Sequence, residues 1–236
     1  MMKRGLMAIT EDSIDFLMEN YINNSREWFQ ENKLRFKEKV EAPLLALAEE
    51  ILPSLLEIDG GIVADPKRCL SRIWLDMRIN RSGMYFRDHL WLAFRRGTGM
   101  TYPTYYFELS PTGYRYGVGY YMMSTTVAAV LRQWVLQGDQ RFLAAKKALS
   151  ELPQLEFSGE SYKRKKYPDA PEELQDWLNR KSLSFNCEKN DQALLFSSEL
   201  GSYLQSEFRA MADLYRFLIQ GHLTALPGEE PPRRRR

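Results

Sequence analysis

TYYFELSPTGYRYGVGYYM (Thr104–Met122) decides the fold class. Thr104–Leu109 and Tyr114–Met122 are rich in tyrosine and other residues that suit a pleated surface, and Ser110-Pro111-Thr112-Gly113 between them has turn chemistry. The stretch therefore predicts a β-hairpin. Just upstream, LWLAFR (Leu90–Arg95) is apolar at alternate and intervening positions alike, which predicts a central strand covered on both faces. Sequential strands joined by short turns predict an antiparallel meander.

Helical spacing appears on both sides of this block. A first helix is expected near Thr10, with Glu11 and Asp12 in its opening turn to suit the helix dipole. Asn24 is a candidate cap for a restart, with Glu27 three residues on to close a capping box. Phe36, Val40, Leu44, Leu47, Ile51 and Leu55 form one apolar stripe, with a kink or restart predicted at Pro43 and termination near Pro53. Downstream, a helix around Val127–Trp134 ends at Gly138, and a second runs from Phe142 to Leu152 ahead of Pro153. A short strand near Leu155–Phe157, a short helix after Pro171 and an edge-type strand SLSFNCE (Ser182–Glu188) follow, then a final helix from about Ser198 to His222. His222 is expected just past that helix, on its last carbonyls. The whole reads as one α+β domain over residues 1–222, a central, mainly antiparallel sheet with long N- and C-terminal helices packed on it. Residues 223–236, ending PPRRRR, are expected to be a disordered basic tail.

With 236 residues the chain can bury a sizeable core. Its 44% hydrophobic and 27% charged residues exclude a disordered chain, and a net charge of +2 gives no general attraction to nucleic acid or membrane. No apolar run approaches the ~20 residues of a membrane helix, and the N-terminus lacks the apolar core of a secretory signal. A cytoplasmic location is expected, with Cys69 and Cys187 as free thiols.

Specific chemistry is sparse. Only His89 and His222 are available as bases, and no nucleophile elbow, metal-ligand spacing or phosphate loop is present, so no cofactor is named and no metal site is expected. His89 sits beside Asp88, which would orient it, although a strand-end histidine is the simpler reading. Gly117 and Gly119 mark a bare patch where something approaches the hairpin closely, a packed helix before a ligand.

The richest stretch is RIWLDMRINRSGMYFR (Arg72–Arg87). Its period of two predicts a strand with Ile73, Leu75, Met77 and Ile79 on one face and Arg72, Trp74, Asp76 and Arg78 on the other. Asp76 lies between two guanidiniums and is held ionised, but one carboxylate cannot saturate two arginine forks. The missing second anion is either Glu108, closing a structural ion network, or a ligand, and the network is the simpler reading. Arg81 and Arg87 add positive charge around the turn.

As a set, these residues resemble the domain-of-unknown-function 2461 family of conserved hypothetical microbial proteins. The resemblance spans about Ser13 to Lys189. It rests mainly on an Asn-Asn-x-Arg-Glu-Trp-Phe box (Asn23, Asn24, Arg26, Glu27, Trp28, Phe29) and an Arg-Ile-x-x-Asp-x-Arg box (Arg72, Ile73, Asp76, Arg78). The family pattern continues through an acidic-lysine turn and a Pro-Tyr-Lys. This chain has Ser82-Gly83 and Tyr85-Phe86-Arg87 there, so Arg87 keeps the final cation and the turn lysine is absent. The resemblance implies an α+β fold and no particular reaction.

The functional expectation is a pocket for a small anionic ligand. Arg72, Arg78 and Arg87 would bind the anion and Asp76 orient them, with Asn23, Asn24, Arg26 and Trp28 contributing from the helix junction. Binding module and enzyme both fit. The competing reading is a nucleic-acid- or protein-binding module that uses the seven tyrosines of Tyr102–Tyr121 and the basic loop Lys163–Lys166. No oligomeric state can be read.

Overall fold

A computed structural model describes residues 8–78, 80–97 and 99–228. The expected hairpin is present as β2 (Thr104–Ser110) and β3 (Gly113–Gly119), with Ser110 opposite Gly113 across the turn. With β1 (Leu90–Phe94), β4 (Glu156–Ser158) and β5 (Ser184–Lys189) they form an antiparallel sheet in the order β1-β2-β3-β5-β4. The fold is α+β.

Strand periodicity sets the two sides of this sheet. Rows such as Leu92–Phe107–Tyr116–Cys187 and Phe94–Tyr105–Val118–Phe185 are buried. They face α10 (Leu200–Ala210) and α11 (Ala212–Ala225), with Phe208 against Phe94, Tyr105 and Tyr116, and Tyr215 stacked on Tyr105. The opposite face carries half-exposed Trp91, Tyr106, Glu108, Arg115 and Asn186.

Three strand-level expectations change. β1 is an edge strand of the ladder, yet apolar on both faces because its outer edge is itself covered. Val63 N–H donates to the Arg95 carbonyl, Ser71 N–H to the Trp91 carbonyl, and Leu70 bridges Leu92. β5 is internal, since β4 takes the edge. At Gly117 and Gly119 the bare patch is explained within the sheet. A Cβ at Gly117 would lie 2.2 Å from the Phe185 carbonyl oxygen, and one at Gly119 2.5 Å from the Ser184 Cα. The neighbouring strand makes the close approach.

Helix ends follow side-chain chemistry. α1 (Glu11–Asn23) starts after Thr10 as expected. Asn24 is not the cap of the next helix. It ends α1 in the left-handed region (φ 43°), which asparagine tolerates, and Ser25 caps α2 (Arg26–Glu31) by accepting the Trp28 N–H. α3 (Lys33–Phe36) runs into α4 (Ala42–Ile58) through a π-helical turn, Lys37–Glu41. Pro43 lacks the N–H that Lys39 would receive in an α-helix, and the Lys39 carbonyl instead accepts the Ser13 hydroxyl at 2.5 Å. Pro53 does not terminate α4. It is exposed, so the carbonyl it leaves without a donor can take water.

α6 (Thr125–Gln137) ends at Gly138 (φ 62°) as read, followed by α7 (Gln140–Ser150) and the short α8 (Gln175–Asn179). The last long helix is two, α10 and α11, broken at fully buried Met211 and preceded by the single turn α9 (Gln192–Leu195). α11 continues to Ala225, into the segment read as tail, and residues 229–236 lie outside the described ones. His222 is inside α11, buried, with its ring 4.3 Å from that of Tyr102, instead of past the helix end. Cys69 and Cys187 are both free and buried. Among the described residues no helix is long and apolar enough to cross a membrane.

Candidate functional site

The stretch Arg72–Arg87 is not a strand. Among its described residues the regular pairing is a single bridge, Trp74 to Phe86, supported by Leu75 N–H to the Tyr85 carbonyl and Arg87 N–H to that of Ile73. Its polar side chains capture the backbone locally. Asp76 Oδ1 accepts the Arg78 N–H, Asn80 Oδ1 accepts the Ser82 N–H, and Asn80 Nδ2 donates to the Met84 carbonyl. Such Asx turns compete with a ladder and here replace it. Ile79 lies outside the described residues.

The expected triad of Arg72, Asp76 and Arg78 is therefore not assembled. Arg78 closes on its near neighbour, Nε to Asp76 Oδ1 at 2.9 Å and a terminal nitrogen to Oδ2 at 2.6 Å. These bonds, with the Arg78 N–H next, bring the Asp76 carboxyl down to about 2. The Arg78 side chain is 88% exposed, so the pair shapes the turn and adds little stability. Arg72 contributes only a weaker coulombic pull on Asp76. Glu108 is not its partner either. It accepts Arg115 at 2.9 and 3.0 Å, directly across the β2–β3 register.

The remaining expected residues separate into two places. Arg87 stacks over Trp91, 4.8 Å from the ring centre, near His89, whose Nδ1 is 2.6 Å from Asp88 Oδ1. The Asn box meets the Gly83–Tyr85 turn. Asn24 Oδ1 accepts the Tyr85 N–H at 2.6 Å, Asn24 Nδ2 donates to the Gly83 carbonyl, and the Arg26 guanidinium lies 4.5 Å from the Tyr85 ring centre. Asn23 bonds locally to the Glu19 carbonyl, and Trp28 packs on Phe16. The Asn box is thus tied to the turn after the Arg box, and Phe29 meets Trp74 within that box at 5.1 Å.

Arg72 points elsewhere, to a pair of concavities beside the covered edge of β1. The segment Val63–Ser71 that covers this edge contains α5 (Pro66–Cys69), capped by Asp65, whose Oδ1 accepts the Lys67 N–H at 3.0 Å. The smaller concavity, about 320 Å³, is lined by Lys67, Arg68, Arg72 and Arg95 over Val63, Cys69, Ala93 and Gly97. The larger, about 550 Å³, shares Lys67, Leu70 and Arg72 and adds Lys33, Lys37 and Glu41 over aromatic and aliphatic side chains. Lys37 and Glu41 are the two ends of the π-helical turn.

Four cations and no carboxylate line the smaller concavity, and none of the four is in an ion pair among the described residues. Arg95 is half-buried, and this loss of water lowers its pKa below the usual arginine value. Burial pushes the Cys69 thiol up to about 12, Asp65 adding to the rise and Arg95 and Arg68 opposing it, so Cys69 is a neutral wall. Lys67, Arg68 and Arg72 are exposed, and an oxyanion here would meet charge-assisted donors. Sequence reading missed Lys67, Arg68 and Arg95. The adjacent cations in DPKRC and FRR were visible, but only the covering of β1's edge brings them together.

The tyrosines are placed differently from what stacking on a base requires. Tyr102, Tyr105, Tyr114, Tyr116 and Tyr120 are buried. Tyr106 reaches across β3 to donate to Asn186 Oδ1 at 2.7 Å, which leaves Tyr121 exposed. The loop Lys163–Lys166 is exposed, with Lys166 over Tyr162.

The family described as "Conserved hypothetical protein (DUF2461)" matches residues 12–217, from α1 into α11. The chain belongs to this family. The match includes both sequence boxes and every residue of the two concavities. The family's description names no activity, and no curated protein matches the chain.

Proposed function

We propose that the protein binds a small anionic ligand, phosphate- or carboxylate-bearing, at the smaller concavity. The observation that supports this is the convergence of Lys67, Arg68, Arg72 and Arg95 without a lining carboxylate. Of the residues expected from sequence, Arg72 is the direct contact. Asp76 and Arg78 shape the turn after it, Asn24 and Arg26 hold the next turn, Gly83–Tyr85, from the helix junction, and Arg87 lies beside Trp91.

Titration of the full chain with inorganic phosphate and acetate, followed by calorimetry and by the thermal midpoint, tests the proposal. Saturable binding that weakens with added salt is expected. Arg72→Ala and Arg95→Ala should each weaken it about tenfold, as befits a charge-assisted contact. Equal behaviour of both variants and the parent protein, or no saturable binding to any oxyanion, would overturn it.

A further inference from the structure

We infer that the ligand of this site is amphiphilic, an oxyanion head joined to an apolar body that lies in the larger concavity. The inference rests on the proposed anion site and extends it through Arg72 and Lys67, which line both hollows. Beyond these two cations the apolar part of the larger hollow's lining is Phe29, Phe36, Leu45, Leu70, Ile73 and Trp74, and Ser71 is its uncharged polar member. Phe29 and Trp74 meet edge to face at 5.1 Å and both pack on Phe86, so this wall is rigid and already formed. Lys33 and Lys37 stand among the same lining residues, opposed by Glu41 alone.

A concavity of about 550 Å³ has the size of a site for a molecule larger than a bare oxyanion. Apolar walls beside a cationic end match an alkyl or aryl chain carrying one negative group. A sugar phosphate or an inorganic anion would leave those walls against its hydroxyls or against water. The π-helical turn that contributes Lys37 and Glu41 gives the same direction, since π turns inside helices are frequent at functional sites.

The test is a homologous series at fixed charge, measured by calorimetry on the full chain: methyl, butyl and hexyl phosphate, with acetate, pentanoate and heptanoate in parallel. Affinity should rise about two- to fourfold per methylene in at least one series, the gain from burying a methylene. Leu45→Asn, at a half-buried lining position, should flatten the gradient. Arg72→Ala should lower every member by a similar factor and keep the slope. A flat response in both series would overturn the amphiphile and leave the anion site standing, whereas no binding by any member would remove both. A gradient that survives Leu45→Asn unchanged would also overturn the placement of the chain in the larger hollow.

Discussion

Asn24 and Tyr85 stand 61 residues apart in the chain, and the Tyr85 N–H donates to Asn24 Oδ1 at 2.6 Å. Asn24 is also the residue that turns the chain out of α1 with a positive φ. One side chain therefore ends a helix and holds the turn that follows the Arg72–Asp76–Arg78 segment. Asn24→Ala should lose both functions, at a cost of about 2–4 kcal/mol from an unpaired N–H and a left-handed alanine. Asn24→Asp, which keeps the acceptor, should lose less than about half of that. Urea unfolding measures both, and an alanine variant as stable as the parent would show that the contact is incidental.

Asp59 predicts an acid limb of stability. Burial alone would raise its carboxyl, but hydrogen bonds from Arg96, Tyr215 and the Gly61 N–H outweigh it and hold the pKa below the usual range. A depressed native pKa means stability that is full above the unfolded value of about 4 and is lost as the pH falls through the native value. Asp59→Asn should therefore cost about 3 kcal/mol at pH 7, since it strands Arg96. The difference from the parent should shrink below about pH 4. Denaturant midpoints across pH 2.5–7 (about) check this, and a pH-independent difference would reject it.

Glu50 predicts the opposite slope. Its carboxylate is turned against α10 at Gly201, and burial raises its pKa. A raised carboxyl disfavours the folded state only when ionised. The penalty is absent below the unfolded value of about 4.3 and develops as the pH rises through the native one. Glu50→Gln should raise the folding stability at pH 7, by no more than about 1 kcal/mol because the group is largely solvent-screened, and with it the thermal midpoint. At about pH 4 the two proteins should melt together. A variant less stable at neutral pH would mean that the carboxylate has a partner that favours its charge.

Gly117 is a position where the sheet itself leaves no room. An added Cβ would meet the Phe185 carbonyl oxygen at 2.2 Å, a backbone atom that cannot swing aside. Gly117→Ala should cost about 2 kcal/mol or more and loosen the β3–β5 pairing. Hydrogen exchange of the Val118 and Cys187 amides would report the loosening locally. Unchanged protection would mean that the strands can separate without loss.

Elements whose causes are local were legible in the chain. The β2–β3 hairpin follows from two runs of strand formers around one turn, α1 from its acidic first turn, and the end of α6 from Gly138. The break at Pro43 was equally legible, because a missing N–H acts where it stands. The remainder depended on contacts between distant segments. Alternation in Arg72–Arg78 is a statement about burial, and without a partner strand its Asx side chains took the backbone donors instead. Glu108 went to Arg115 because register places them opposite each other. Arg72 kept its place in the candidate site, but Lys67, Arg68 and Arg95 joined it only when the segment after Val63 closed over the edge of β1. Charge that converges from separate elements leaves no periodic trace in the chain, since it depends on which edge a covering segment chooses.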